Sequence, residues 1–134
     1  EDRARAYALT YPDVLRALHF CLKWSDLSTA AQLVKTRADE LDGDHYELLT
    51  TAADALRERH PLAATLLWRA MIDFALIEGR ASRYGHAASH LNDCGAVAPE
   101  VDTFDAFSSH DRYVDELRVR HERKSSFWAK FDAH

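Results

Sequence analysis

Glycine and proline are scarce, 4 and 3 in 134 residues. So few turn-formers, beside many alanines and leucines, argue against a loop-rich or many-turned sheet protein and predict helices joined by short connections. No segment sustains a period-two alternation of apolar and polar residues, so no sheet is expected. Cys21 and Cys94 lie far apart and form no C-x-x-C pair. That removes a disulfide framework and a cysteine-based zinc site, and it favours a reducing, cytoplasmic compartment. The longest apolar run, within Pro61 to Ile77, is interrupted by Arg69 and Asp73. It is too short and too charged to cross a bilayer, and no membrane partner is expected. A G-x-S-x-G elbow, a P-loop and a G-x-G-x-x-G turn are all missing; without such a nucleophile or phosphate cradle the chain is expected to be no enzyme and to carry no cofactor.

What is present is globular: 47% hydrophobic and 29% charged residues, in a length that suits one domain spanning 1–134. The chain opens Glu1-Asp2-Arg3-Ala4 without a methionine, and is expected to be the C-terminal piece of a longer protein. Net charge is −5, unevenly spread. From Arg118 onward five Lys/Arg face two acids, so an acidic body carries a basic end.

Helical periodicity runs through most of the chain. Residues 1–9 read as a helix end, with Tyr7 and Ala8 inward. Pro12 is placed to open the next helix, whose face Val14, Leu18, Cys21 and Leu22 is widened by Phe20 and Trp24. After "SDLS", Ala31, Val34, Ala38 and Leu41 recur inward. Asp44 and Glu47 have the spacing of a capping box before Leu49, Ala52, Ala53 and Leu56. Residues 60–79 form the strongest helix, opened by Pro61 and closed by Gly79. It is apolar almost all round, with a stripe of Thr65, Arg69 and Asp73 on which Arg69 and Asp73 are spaced to pair. Residues 84–94 follow as a shorter helix, 95–108 as an irregular connection pinned by Phe104 and Phe107, and Ser109 as the cap of a last helix with Tyr113, Val114 and Leu117 inward. Phe127, Trp128 and Phe131 then end the chain as a docking element. The expected fold is all-α: six or seven helices in antiparallel pairs, arranged as a tetratricopeptide-like array.

Three places carry ligand chemistry. On the helix of 84–94, Tyr84, Ala87, Ala88, Leu91 and Cys94 share a core face, and His86, His90 and Asp93 align on the flank away from it. Their i, i+4, i+7 spacing suits two imidazoles and a carboxylate around zinc. No general base or supporting shell is visible, and a solvated polar face explains the trio as simply. Arg80 and Arg83 precede that helix and suit an anion at its N-terminus; the competing reading pairs them with acids of a neighbouring helix. In "RVRHERK", Arg118, Arg120, His121, Arg123 and Lys124 have the composition of a phosphate-contacting run, although the acidic body would repel nucleic acid.

The motif Tyr-x-x-Ala-Ala-x-x-Leu at Tyr84, Ala87, Ala88 and Leu91 is followed by Tyr-x-x-x-Leu-Arg-x-Arg-His-x-Arg-Lys. The second occupies Tyr113, Leu117, Arg118, Arg120, His121, Arg123 and Lys124. Here the chain resembles the C-terminal region of an uncharacterised bacterial family, a domain of unknown function, and is similar to the helical tail of bacterial SWIM zinc-finger proteins. The resemblance is strongest over residues 60–131. It implies a helical array, and it leaves zinc binding behind, because this chain has no C-x-C with C-x-H.

The expected role is therefore a scaffold module binding a protein or peptide in a groove, with Arg69, Asp73, Arg83, His86 and His90 as groove residues. The alternatives are a nucleic-acid module through Arg118, Arg120, Arg123 and Lys124, and a metal site at His86, His90 and Asp93.

Overall fold

A computed structural model describes residues 2–133. Those residues form eight α-helices, three short 310 turns and no strand. The helices are α1 (Asp2–Thr10), α2 (Val14–Lys23), α3 (Leu27–Thr36), α4 (Tyr46–Leu56), α5 (Pro61–Ile77), α6 (Tyr84–Val97), α7 (His110–Arg120) and α8 (Ser125–Asp132).

The arrangement is built around α5. Twelve of its seventeen residues are buried, and α3, α4 and α6 all pack directly on it. A helix apolar on nearly every side has no stable surface position, so it becomes the axis on which the others are laid. Pro61 sits in its first turn as expected, and Gly79 follows its end. There the amides of Gly79 and Arg80 donate back to the carbonyls of Leu76 and Ala75 at 3.3 and 2.9 Å, the bond pair of a Schellman stop. The face Leu49, Ala52, Ala53 and Leu56 of α4 is buried, as is Tyr84, Ala87, Ala88, Leu91 and Cys94 of α6.

Several boundaries differ from the sequence expectation, each for a local reason. α2 begins at Val14, because Asp13 accepts the amides of Leu15 and Arg16 and so caps it; Pro12 stays outside. Asp44 and Glu47 form no capping box. His45 holds the cap position of α4 without a side-chain bond, and Asp44 turns instead to Arg83. α6 runs through Gly95 to Val97 and continues as a 310 turn, Ala98–Glu100, which shortens the irregular connection to 101–109. Phe20 and Trp24 leave the core: they are 48% and 67% exposed and tilt against each other at 6.1 Å. Tyr7 is likewise exposed, while Ala8 is buried. The terminal segment beyond Ser109 is two helices, with Ser109 capping α7 through the amide of Arg112.

α8 docks as its three aromatics predict. Phe127 is fully buried, edge-on to Tyr84 of α6 at 5.9 Å and to Trp128 at 4.8 Å. Near the other end of the chain, Arg37 holds the α1–α2 connection by donating to the carbonyls of Leu9, Tyr11 and Pro12 while pairing with Glu40 at 2.6 Å.

The turn before α4 lies hard against α5. A Cβ on Gly43 would stand 2.1 Å from the carbonyl oxygen of Ala70 and 2.6 Å from Cβ of Phe74. Backbone cannot yield there, so Gly43→Ala is expected to lower stability by about 1–3 kcal/mol, the range of an overpacked interior. Urea denaturation against wild type measures it, and a midpoint shift below the experimental error would remove this contact from the fold's requirements.

Candidate functional site

The close approach of Gly43 brings the 41–45 turn beside the 310 turn Ala81–Arg83, where α5 hands over to α6. Arg83 bridges the two: its Nη2 lies 2.8 Å from Asp44 Oδ1, and its guanidinium stacks over the rings of Tyr46 at 4.9 Å and Phe74 at 5.2 Å. Its Nη1 is buried without a partner. A planar, delocalised cation suits this position, since it stacks and pairs at once.

From that corner a groove of about 720 Å³ runs between α4 and α6, over α5. Met71, Ala75 and Ala87 give it an apolar floor, and Tyr46, Glu47, Arg83, His86 and His90 are among its walls. Thr50 donates to Met71 Sδ at 3.4 Å, which steadies the floor. Tyr46 is 49% exposed. Together with Glu47 and Thr51 it also lines a second hollow, about 880 Å³, toward His19, Lys23 and His45 of the neighbouring surface. The two hollows share that wall.

The five expected groove residues divide between two faces. Arg83, His86 and His90 line the groove. Arg69 and Asp73 do not; they lie under α7. Arg69 is only 7% exposed, and its guanidinium stands over the rings of Tyr113 at 4.4 Å and Phe104 at 5.6 Å. Asp73 accepts the hydroxyl proton of Tyr113 at 2.7 Å. No Arg69–Asp73 ion pair forms, because Tyr113 inserts its ring against one and its hydroxyl against the other. Burial lowers the Arg69 pKa and raises that of Asp73, the Tyr113 hydrogen bond pulling the latter back toward the carboxylate. Tyr113 was legible as a core residue, but its polar partnership with α5 was not, since residues 69–73 and 113 are forty apart in sequence.

His86 is exposed and His90 half-buried, with Asp93 half-buried a turn further on. Among the described residues no three His, Cys, Asp or Glu side chains come together to hold a metal ion, so this trio does not close around one. Burial pushes His90 below its usual value, with opposing pulls from the Asp93 and Asp54 charges and a push in the same direction from His86. Cys94 lies within α6, not at its end, and burial raises its thiol to about 12, too high for a nucleophile.

The basic run also divides. Arg118 is structural: it pairs with Asp132 at 2.9 Å and stacks on Trp128 at 4.3 Å, fastening α8 to α7. Trp128 Nε1 donates to the His121 carbonyl at 2.9 Å, and Lys124 holds the cap position of α8. Arg120 and Arg123 are exposed and have no ion pair among the described residues.

The molecule is thus an all-helical protein with a mixed apolar and polar groove across its central helix. It belongs to a family of unknown function, DUF6880, whose model matches residues 1–130. No curated protein and no solved structure matches the chain.

His90 supplies a pH test of the groove wall. Its pKa is depressed in the folded protein, so the folded state resists a proton that the unfolded chain takes up near 6.5. Its contribution to stability is present above that value and is lost as pH falls through the folded pKa. His90→Gln is therefore expected to flatten the decline in urea midpoint between about pH 7.5 and 5.5. A variant whose decline parallels wild type would show that His90 is free to titrate as in water.

Proposed function

We propose that this chain is a binding module that takes a peptide or protein segment in the groove between α4 and α6. The observation that carries this reading is the groove's composition. A methionine and alanine floor is walled by an exposed tyrosine, an arginine stacked on that tyrosine and two histidines. Tyr, Met and Arg are the residues enriched at protein interfaces, and such a mixture of apolar area with few placed polar groups suits a short segment of chain.

A tetratricopeptide-like array is the architecture we infer for it. In support, helices pack on their neighbours in sequence, as in α2 with α3, α4 with α5 and α5 with α6. They also pack on the next but one, as in α1 with α3, α2 with α4, α3 with α5 and α6 with α8. That near-neighbour pattern is how stacked helical hairpins bury a shared core and leave a groove. The likeness of residues 60–131 to a SWIM zinc-finger protein's helical tail fits a module of this kind within a larger bacterial protein. Two buried, unbridged cysteines fit the cytoplasm. The reading is of a binding role, not a catalytic one.

Selection from a displayed peptide library tests the reading. Selected peptides are expected to bind with micromolar dissociation constants and to lose about thirtyfold or more against Tyr46→Ala, the size of an interface hot spot, about 2 kcal/mol or greater. Circular dichroism controls for folding. Peptides that bind Tyr46→Ala and His90→Ala as they bind wild type would place recognition elsewhere.

A nucleic-acid module is the second reading, favoured only by Arg120 and Arg123, exposed and without an ion pair among the described residues. Two phosphate contacts correspond to a salt slope of about −2 on a log–log plot. Fluorescence anisotropy with a labelled duplex in low salt measures it, and the absence of binding there removes the reading.

A further inference from the structure

The buried layer between α5 and α7 holds a second feature, independent of the groove. Arg69 is 7% exposed, and its Nε and Nη2 are both buried without a hydrogen-bond partner. These two nitrogens form one edge of the guanidinium, whose parallel N–H groups match the two oxygens of a carboxylate or a phosphate. Natural interiors rarely leave such donors unmade, because each costs about 1–3 kcal/mol.

The nearby acids do not serve that edge. Asp73 accepts from the Tyr113 hydroxyl, and Glu116 accepts from Ser108 Oγ at 3.2 Å and faces Arg112 at 3.8 Å. The rings of Tyr113 and Phe104 cover the guanidinium without satisfying its hydrogens. A second orphan lies in the same layer: His110 Nδ1, at the start of α7, is also buried and unpartnered. Its ring rests against Gly95, beside the buried Cys94 of α6. Asp73, Phe104 and Glu116 are half-buried, so the layer lies one side chain below the surface.

We propose that the Nε–Nη2 edge of Arg69 is a binding site for a two-oxygen anion, a carboxylate or phosphate group, held side-on beneath α7 with the His110 ring beside it. The anion ties α7 and the 101–109 connection to α5, completing by a ligand the one part of the central helix that the chain's own acids leave unmatched.

Thermal unfolding of the whole chain, followed by tryptophan fluorescence at constant ionic strength, tests the site with sodium acetate, sodium phosphate and a capped glutamate-containing peptide, against sodium chloride. A ligand at about a hundred times its dissociation constant is expected to raise the midpoint by on the order of 5–10 °C, and further with the logarithm of its concentration. Acetate and phosphate distinguish the two anion classes, and the peptide distinguishes a free anion from one carried on a protein; a logarithmic rise with any of them beyond that with chloride supports the site. Arg69→Lys keeps the charge and removes the fork, so it is expected to lose the anion-specific rise while still folding, and Arg69→Met to lose it with the charge. A wild-type midpoint no higher in acetate, phosphate or peptide than in chloride would overturn the proposal, with water or a rotated Glu116 serving the edge. An Arg69→Lys response equal to wild type would overturn it too, as a general charge effect.

Discussion

The burial of α5 is the constraint from which the other elements take their places. Leu67, Trp68, Ile72, Ala75 and Leu76 point in different directions around one helix, and all are at most 1% exposed. Burying a large apolar side chain contributes about 1.5–3 kcal/mol, so no single flank can be left open without a cost comparable to a domain's whole stability. α3, α4 and α6 close most of the circumference, each with an alanine-rich face that lets it approach: Ala30 and Ala31, Ala52 and Ala53, Ala87 and Ala88 are all buried. The small residues and the large ones are two halves of one packing solution.

The polar stripe is where that solution becomes difficult. Thr65 answers its own need by donating to the Pro61 carbonyl at 2.8 Å, but Arg69 and Asp73 require partners from outside α5. Tyr113 meets both with one side chain, its ring to the cation and its hydroxyl to the carboxylate. A desolvated cation–π contact is worth about 2 kcal/mol, which offsets part of the guanidinium's lost hydration without providing hydrogen-bond acceptors. α7 is thus specified by polar matching to a helix that is otherwise apolar, and its aromatic cover leaves an edge of Arg69 chemically unsatisfied.

The helices were legible in the sequence wherever one face repeated at 3.6 residues, as in Leu49 to Leu56 and Tyr84 to Cys94, because local periodicity is all that such a face needs. What was not legible depended on distant residues. Asp44 has the spacing of a cap, but the stronger attraction is Arg83, thirty-nine positions away in the chain and brought close only by the Gly43 contact. Gly95 marks a break in the pattern, yet the helix runs through it with the His110 ring packed where a side chain would stand, 3.1 Å from a notional Cβ. Phe20 and Trp24 belong to the apolar side of α2 by composition, but no element of the described chain covers them. Of the candidate site, the groove's Arg83, His86 and His90 were named from sequence. Tyr46, Met71 and the floor were not, since their meeting requires α4, α5 and α6 to be assembled first.

The same helix therefore faces two unlike environments. Toward α4 and α6 its surface is Met71 and Ala75, side chains without hydrogen-bond demands, nearly covered by those helices at the bottom of the groove. Toward α7 its surface is Arg69 and Asp73, whose demands pull a covering element down upon them. A buried methionine or alanine needs no polar partner, whereas an arginine in a dry layer cannot remain unmatched without lowering stability. The first face is covered by apolar packing alone, and the second is covered by an element that charge and hydrogen bonding specify. The ligand chemistry we propose for the two faces differs accordingly: apolar area with peripheral polar groups on the first, and a single geometrically defined acceptor on the second.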